Sequence, residues 1–254
     1  RQKEKNNDYT YIYKKYIKFW KDLASKGDEL GLHVHLIEKQ KDLWVQSIND
    51  DDNIITLEEI IKEWQNLIKI DSIRMGYCYN SNKIMKLLEE YNFKIDSSSL
   101  PKRKMEERQC FDWLESPKFP FHPSKETASK VNYKVPAKVH YNILEVPFTI
   151  FLSKLEDDPK PVYRYINLSF HPHIIKNVIK DIVKNYPIIH SVSHFFEFIP
   201  RFNLDKKENL LIAFNKDALV QNLYNIIKAC KEINRSYRFL CISELIEYKD
   251  IIEK

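Results

Sequence analysis

The segment Asp28-Glu29-Leu30-Gly31-Leu32-His33-Val34-His35-Leu36 decides the predicted fold. It follows an amphipathic helix predicted over residues 10–26, and its apolar run predicts a β-strand over about 29–36. Residues two apart on a strand point to the same face. His33 and His35 therefore present two imidazoles side by side, as a strand does when it offers nitrogen ligands to a zinc-type ion. The alternative is that one or both are ordinary half-buried histidines bonded to the backbone.

The composition predicts a folded protein and argues against several classes of ligand. The 254-residue chain is 43% hydrophobic and 13% aromatic, which is enough for a sizeable core. The formal charge is +5, with basic and acidic residues interspersed, and this does not suggest nucleic acid binding. The chain has 3 glycines, whereas the usual share is roughly 7%. The phosphate-binding motifs G-x-G-x-x-G and G-x-x-x-x-G-K-S/T do not occur.

The cysteines and the apolar runs predict a cytoplasmic protein. The 4 cysteines lie far apart and form no C-x-x-C pair, so free thiols in a reducing compartment are expected. No apolar run reaches the ~18 residues of a membrane span. Residues 1–8 do not have the pattern of a signal peptide. The sequence leaves the oligomeric state open.

Helices and strands alternate along the first hundred residues. After a polar loop over 37–55, Thr56 and Glu59 predict a capping box that opens a helix to about Ile68. Three predicted elements follow along the chain: a strand from Ser72, a helix from Lys83 capped by Asn80 or Ser81, and a short strand over 93–99. This order is typical of a parallel α/β sheet or barrel.

The chemistry of such folds lies at the C-terminal ends of the strands. Four residues lie at or near predicted strand ends: His33, His35, Arg74 and Asp96. A bidentate guanidinium suits the orientation of a carboxylate. The alternatives are a surface ion pair for Arg74 and a turn cap for Asp96.

Beyond residue 100 the predicted elements are an irregular stretch over 100–140, strands at 142–149, 165–171, 187–194 and 237–242, and helices at 174–184 and 216–233. We expect Asn215 to cap the last of these helices and Ser243 to cap a terminal one. No internal repeat or low-complexity linker occurs, so residues 1–254 are predicted to form one domain.

Six segments together resemble the polysaccharide deacetylase superfamily, in particular its long bacterial members that act on sugars of surface glycans. They are GDELGLHVHL from residue 27, IRMGYCYNSNKIMKLLEEYNFKIDSSSLP from 73, FDWLESPKFPFHPS from 111, ILEVPFTI from 143, NLSFHPH from 167 and IIHSVSH from 188. Their order and spacing agree with the family across about residues 10–250.

The resemblance implies a distorted (β/α) barrel with a divalent metal held by Asp, His and His. The metal would most often be zinc, with cobalt, nickel or manganese as alternatives. His33 and His35 would be metal ligands, Arg74 would orient the catalytic carboxylate, and His190 or His171 would be the general acid. An imidazole suits that task because its pKa lies near neutrality.

The resemblance also implies a sugar pocket. Four residues are expected to line it: Asp112, Trp113, Asp96 and Tyr77. A Trp face suits the C–H surface of a sugar, although most Trp residues are packing residues.

The chain departs from the family pattern in two places. The family's opening strand carries an acidic pair that supplies one metal ligand and the general base. No such strand occurs here, so the domain is expected to be N-terminally incomplete. Many members place the second metal histidine four residues after the first, but position 37 is Ile. Either His35 takes that role or the site has one histidine fewer.

The sequence therefore predicts a metal-dependent hydrolase that removes an N-acetyl group from an amino sugar or glycan intermediate. One alternative is a carbohydrate-binding pseudoenzyme with the same barrel, which the missing acidic pair favours. Another is a hydrolase of a different C–N bond.

Overall fold

The computed structural model describes residues 8–105, 111–128, 139–200 and 210–248. The chain divides into two compact units. The first unit comprises Arg1–Val146 and Leu240–Lys254, and the second unit comprises Pro147–Phe239. That all of these residues form one domain stays a prediction.

A parallel sheet of four strands forms the centre of the first unit. In spatial order its strands are β1 (Leu32–Val34), β4 (Ser72–Met75), β5 (Ile95–Asp96) and β8 (Leu144–Glu145). Each neighbouring pair is parallel. Parallel neighbours need a crossover connection, and helices of this unit supply the first two. The predicted mixed α/β class with a parallel sheet is confirmed.

The part of the first unit that the structure describes has four α-helices: α1 (Tyr11–Lys15), α2 (Ile17–Ser25), α3 (Asp50–Gln65) and α4 (Asn82–Glu90). The helix predicted over residues 10–26 is thus two helices. Ser81 caps α4 as expected, and its Oγ accepts a hydrogen bond from the Ile84 N–H at 3.3 Å. The apolar faces of α3 and α4 share one buried core with β1 and β4, formed by residues that include Leu32, Val34, Leu57, Ile61, Ile73, Met75, Ile84 and Leu88.

The predicted start of α3 at Thr56 is wrong. The helix begins at Asp50, and Asn49 caps it by accepting hydrogen bonds from the N–H groups of Asp51 and Asp52 at 3.1 and 3.5 Å. Three aspartates in the first turn complement the positive end of the helix dipole. The acidic run, predicted as part of a solvated loop, is therefore a helix start.

The remaining strands of the first unit form antiparallel pairs. They are β2 (Ile37–Gln40) with β3 (Leu43–Gln46), and β6 (Lys104–Met105) with β7 (Phe111–Asp112). The first pair lies where a loop over 37–55 was predicted. Its strands could not be predicted because their polar residues do not alternate with apolar ones. The predicted strand over 237–242 is wrong: a 3₁₀ helix over Ile242–Glu247 follows irregular backbone, and its N-cap residue is Cys241 rather than Ser243.

The second unit contains a strand pair and two long helices. They are β9 (Ile150–Ser153) with antiparallel β10 (Val162–Tyr165), then α5 (Pro172–Asn185) and α6 (Lys216–Glu232). Asn215 caps α6 as predicted, since its Oδ1 accepts from the Ala218 N–H at 2.9 Å. The strands predicted over 165–171 and 187–194 are wrong: β10 ends at Tyr165, and residues 187–194 form no strand.

The described residues include helices in both units. None of their helices has both the length and the apolar character that crossing a bilayer requires.

Candidate functional site

His33 and His35 lie on the open face at the end of β1. The strand alternates, so Leu32, Val34 and Leu36 are buried while both histidines are exposed. The two imidazole rings meet edge to face with centroids 4.7 Å apart, and their Nε2 atoms are 3.0 Å apart. The expected side-by-side placement follows directly from the period of two.

A backbone carbonyl fixes the tautomer of His33. Its Nδ1 lies 2.8 Å from the carbonyl oxygen of Arg74 on the neighbouring strand β4. A carbonyl can only accept, so Nδ1 carries the hydrogen and Nε2 of the neutral ring keeps its lone pair. Metal-binding histidines are oriented in this way by the bond of their other nitrogen.

The histidine pair has nearly the separation that two ligands of one ion need. Two nitrogens at about 2.0–2.1 Å from a tetrahedral zinc lie about 3.3 Å apart. The Nε2 atoms of His33 and His35 are 3.0 Å apart. Without a metal, the Nε2–H of His35 donates to Nε2 of His33. With its proton on Nδ1 instead, His35 offers a second lone pair, so both residues fit a divalent metal.

Gly76 makes room for the ring of His35. A Cβ at position 76 would lie 2.3 Å from His35 Nδ1 and 2.4 Å from its Cγ. Next to it, the Tyr77 ring contacts the His35 ring edge to face at 4.7 Å. Tyr77 and Cys78 have φ angles of 56° and 58°, a conformation that non-glycine residues adopt at a cost. This strained turn holds an exposed aromatic ring beside the histidine pair.

His33 lines a groove of about 420 Å³ beside β1. His33 and Arg74 are register partners, and both line it together with Ser97. The segment 240–242 forms another wall. Glu29 joins the two sides, because its carboxylate accepts from Ser72 Oγ at 2.5 Å and from the Ser243 N–H at 2.9 Å.

The half-buried Arg74 also acts on the strained turn that follows β4. Burial raises the pKa of the Cys78 thiol to about 12, and the positive charge of Arg74 partly opposes that rise. Cys78 therefore stays a neutral thiol at physiological pH. The predicted role of Arg74 in orienting a carboxylate stays a prediction.

Asp96 lies on the other face of the sheet. Its register partner on β4 is Ile73, which belongs to the core beneath the helices, whereas Arg74 is the partner of His33. Asp96 is fully buried beside Glu145 of β8. The structure therefore brings His33, His35, Arg74 and Tyr77 together, and it places Asp96 behind them rather than in the groove.

Asp112 is the last residue of β7 in the first unit, and Trp113 follows it. The Trp113 side chain is buried, and its Nε1–H donates to the Cys78 carbonyl at 2.9 Å. Asp112 is exposed, 3.4 Å from the Lys104 ammonium. The indole thus braces the strained turn, and its predicted place in a sugar pocket stays a prediction.

The two candidates for a general acid, His190 and His171, belong to the second unit. His190 Nδ1 lies 3.1 Å from the Pro147 carbonyl, and its ring contacts Phe148 edge to face at 5.2 Å. The same carbonyl argument leaves the lone pair on Nε2 of His190. His171 is the N-cap residue of α5 and stacks on His173 at 5.7 Å.

Sequence reasoning missed a histidine–carboxylate pair in the second unit. His194 Nδ1 lies 3.3 Å from Glu197 Oε1, and the buried carboxylate also accepts from Asn167 and Ser169. Burial raises the pKa of Glu197, but the bonds from His194, Asn167 and Ser169 outweigh it and leave the pKa lowered. The i, i+3 spacing of His194 and Glu197 was the available signal.

Across the residues described here, no group of three or more His, Cys, Asp and Glu side chains converges on one point. A metal held by His33 and His35 would therefore need further ligands. Comparison of the chain with protein-family models, curated proteins and solved structures gives no match.

Proposed function

We propose that the protein is a metal-dependent hydrolase that removes an N-acetyl group from an amino sugar or glycan intermediate. The observation that carries the proposal is the histidine pair of β1, with Nε2 atoms 3.0 Å apart and His33 oriented by the Arg74 carbonyl. The motif series of the polysaccharide deacetylase superfamily supports it. The distorted (β/α) barrel of that superfamily is part of the proposal.

His33 and His35 would hold a divalent metal, most often zinc, with cobalt, nickel or manganese as alternatives. Such a metal polarises an amide carbonyl and lowers the pKa of water. Two histidines leave positions open, which a catalytic site needs for water and substrate.

Two further residues close to the histidine pair, Tyr77 and Arg74, suit a sugar amide. The ring of Tyr77 is 41% exposed beside His35 and offers an apolar face to a pyranose. Arg74 carries donors that match sugar hydroxyls or a carboxylate. The motif resemblance assigns protonation of the leaving amine to His190 or His171 of the second unit, and the fixed tautomer of His190 gives it an Nε2 that can take up and deliver a proton.

The first test is bound metal, measured by elemental analysis on the whole chain after reconstitution with zinc. We expect about one zinc per chain, and we expect the His33→Ala and His35→Ala variants each to lose it. His140→Ala is the control, because that histidine lies outside the proposed site. Equal metal in all four proteins, or none in any, would contradict the metal site.

The second test is acetate release from N-acetylated amino sugars by the full-length protein. Free acetate that disappears in His35→Ala would support hydrolysis. A carbohydrate-binding protein without hydrolysis is the second candidate. It is favoured because no third potential metal ligand joins His33 and His35 among the described residues. Sugar binding without acetate would favour that candidate, and release of ammonia or another acid from a panel of amides would favour a different C–N bond.

A further inference from the structure

Two acidic side chains lie together inside the first unit. Asp96 and Glu145 are register partners on the adjacent strands β5 and β8, and both are fully buried. Register partners in a parallel pair share a face of the sheet. Two buried carboxylates side by side cannot both keep a charge at low cost.

Asp96 receives most of the hydrogen bonds in the pair. Its Oδ1 accepts from Ser98 Oγ at 2.5 Å, and its Oδ2 accepts from Asn80 Nδ2 at 2.7 Å. Donors stabilise the ionised form, so Asp96 is equipped to hold the negative charge.

Glu145 receives fewer. Its Oε1 accepts from the Ser99 N–H at 2.8 Å. Its Oε2 is buried and accepts a hydrogen bond from no N–H or O–H group that the structure describes. An ionised oxygen in that position would be uncompensated, whereas an O–H there would have an acceptor beside it in Asp96.

We propose that Glu145 is protonated at neutral pH and donates its acid hydrogen from Oε2 to Asp96, which remains ionised. The pair then carries one charge, and each buried oxygen has a partner. Burial is the main cause that raises the pKa of Glu145 well above its ordinary range, and the charge of Asp96 raises it further. Burial also raises the pKa of Asp96 to about 6, although its hydrogen bonds oppose the rise.

The groups around the two acids are a neutral thiol, two arginines and an apolar ring, and none of them is a second anion. Cys78 of the strained turn interacts with both acids and is itself a neutral thiol. Arg74 and Arg103 are the cations that act on the same thiol. The segment bonded to the backbone of Glu145 contributes Phe121, which is apolar and fully buried. One negative charge, not two, faces this environment.

The pair also positions one wall of the groove. The Ser98 hydroxyl donates to Asp96, and the Ser99 N–H donates to Glu145, so both carboxyl groups hold the turn that follows β5. Ser97 lines the groove with His33 and Arg74. Glu145 is therefore a positioning residue for that turn, whatever reaction the groove carries out.

The direct test is infrared difference spectroscopy of the whole chain at pH 7 in wild type and in Glu145→Gln. We expect a carbonyl band of a protonated carboxylic acid in wild type that is lost in the variant, while the fold is kept because the Gln amide also donates. Glu89→Gln is the matched control, since Glu89 is ion-paired with Lys125 at 3.0 Å and should contribute no such band. A band that survives in Glu145→Gln would overturn the proposal.

The pH dependence of unfolding gives a second measurement. A folded-state pKa above the unfolded value means that the folded chain holds the proton longer. Stability from this group is full below the unfolded pKa and falls as pH rises toward the folded pKa. Above about pH 4.5 we expect the free energy of unfolding of wild type to fall with rising pH more steeply than that of Glu145→Gln. The difference in slope should correspond to at most about one proton. Equal slopes would contradict the assignment.

A second variant keeps the proposal testable if Glu145→Gln does not fold. In Asp96→Asn the neighbouring charge is gone and an amide carbonyl replaces the carboxylate as acceptor, while burial still keeps Glu145 protonated. The carboxylic acid band should then persist at a shifted frequency, because its hydrogen-bond acceptor has changed. A band at the same frequency as in wild type would overturn the proposal that its hydrogen is donated to Asp96.

Discussion

At the scale of single residues, the geometry of the site depends on one absent side chain and on one hydrogen bond. Gly76 has no Cβ, and the His35 ring occupies the space that one would fill. The indole N–H of Trp113 reaches the carbonyl of Cys78, which lies in the strained turn. Neither relation was visible in the sequence, because both join residues through the turn that follows β4 rather than through a periodic pattern.

We expect Gly76→Ala to weaken metal binding at the histidine pair. The new methyl group would displace the His35 ring, and loss of a group that orients a ligand costs roughly 10- to 100-fold in metal affinity. Zinc titration followed by calorimetry measures this. Gly27→Ala is the control: no atom lies within 4 Å of a Cβ there, but φ is 96°, so stability should fall while zinc affinity stays unchanged. Unchanged affinity in Gly76→Ala would contradict the placement of His35.

We expect Trp113→Phe to destabilise the first unit by about 0.5–1.5 kcal/mol, the net worth of a typical hydrogen bond. The phenyl ring keeps much of the packing but leaves the Cys78 carbonyl without its indole donor. Chemical denaturation measures the difference. Trp20→Phe is the comparison, since its Nε1–H makes a long 3.4 Å bond at an exposed site. A loss no larger than that of Trp20→Phe would indicate that the turn does not depend on the indole.

At the scale of elements, the agreement between sequence and structure follows the strength of the local signals. Ser81 and Asn215 were predicted as caps and are caps, because an accepting side chain before an apolar periodic run is a strong signal. Thr56 had the same appearance, but the helix had already begun one and a half turns earlier at Asp50. Asn49 competed successfully because the aspartates after it favour the first turn of a helix.

We expect Asn49→Ala to lower the free energy of unfolding by about 0.5–2 kcal/mol, the usual cost of losing an N-cap. Thr56→Ala should change it by no more than about 0.5 kcal/mol, because position 56 lies in the helix interior and Ala is a strong helix former. Thermal or urea unfolding of both variants measures this. The reverse order of effects would place the start of α3 at Thr56 after all.

At the scale of the whole molecule, the alternation of helices with the strands of the parallel sheet could be predicted for residues 10–100, but the hairpin of β2 and β3 and the pairing of strands could not. Alternating periodicity indicated the parallel sheet because each helix buries an apolar stripe against it. The register that sets Asp96 beside Glu145 depends on strands separated by a long irregular segment, and nothing in either strand specifies its partner. The apolar runs over 187–194 and 237–242 show the same limit: they are apolar, yet they form no strand.

The alternation of β1 also has a consequence for the fidelity of assembly. A slip of one residue against β4 would turn both histidines into the core and carry Leu32, Val34 and Leu36 into water. Each exposed side chain would then forfeit about 1.5–3 kcal/mol of burial. The leucines and the valine thus fix the position of the imidazoles, because burial of these apolar side chains sets the strand register whether or not an ion is bound.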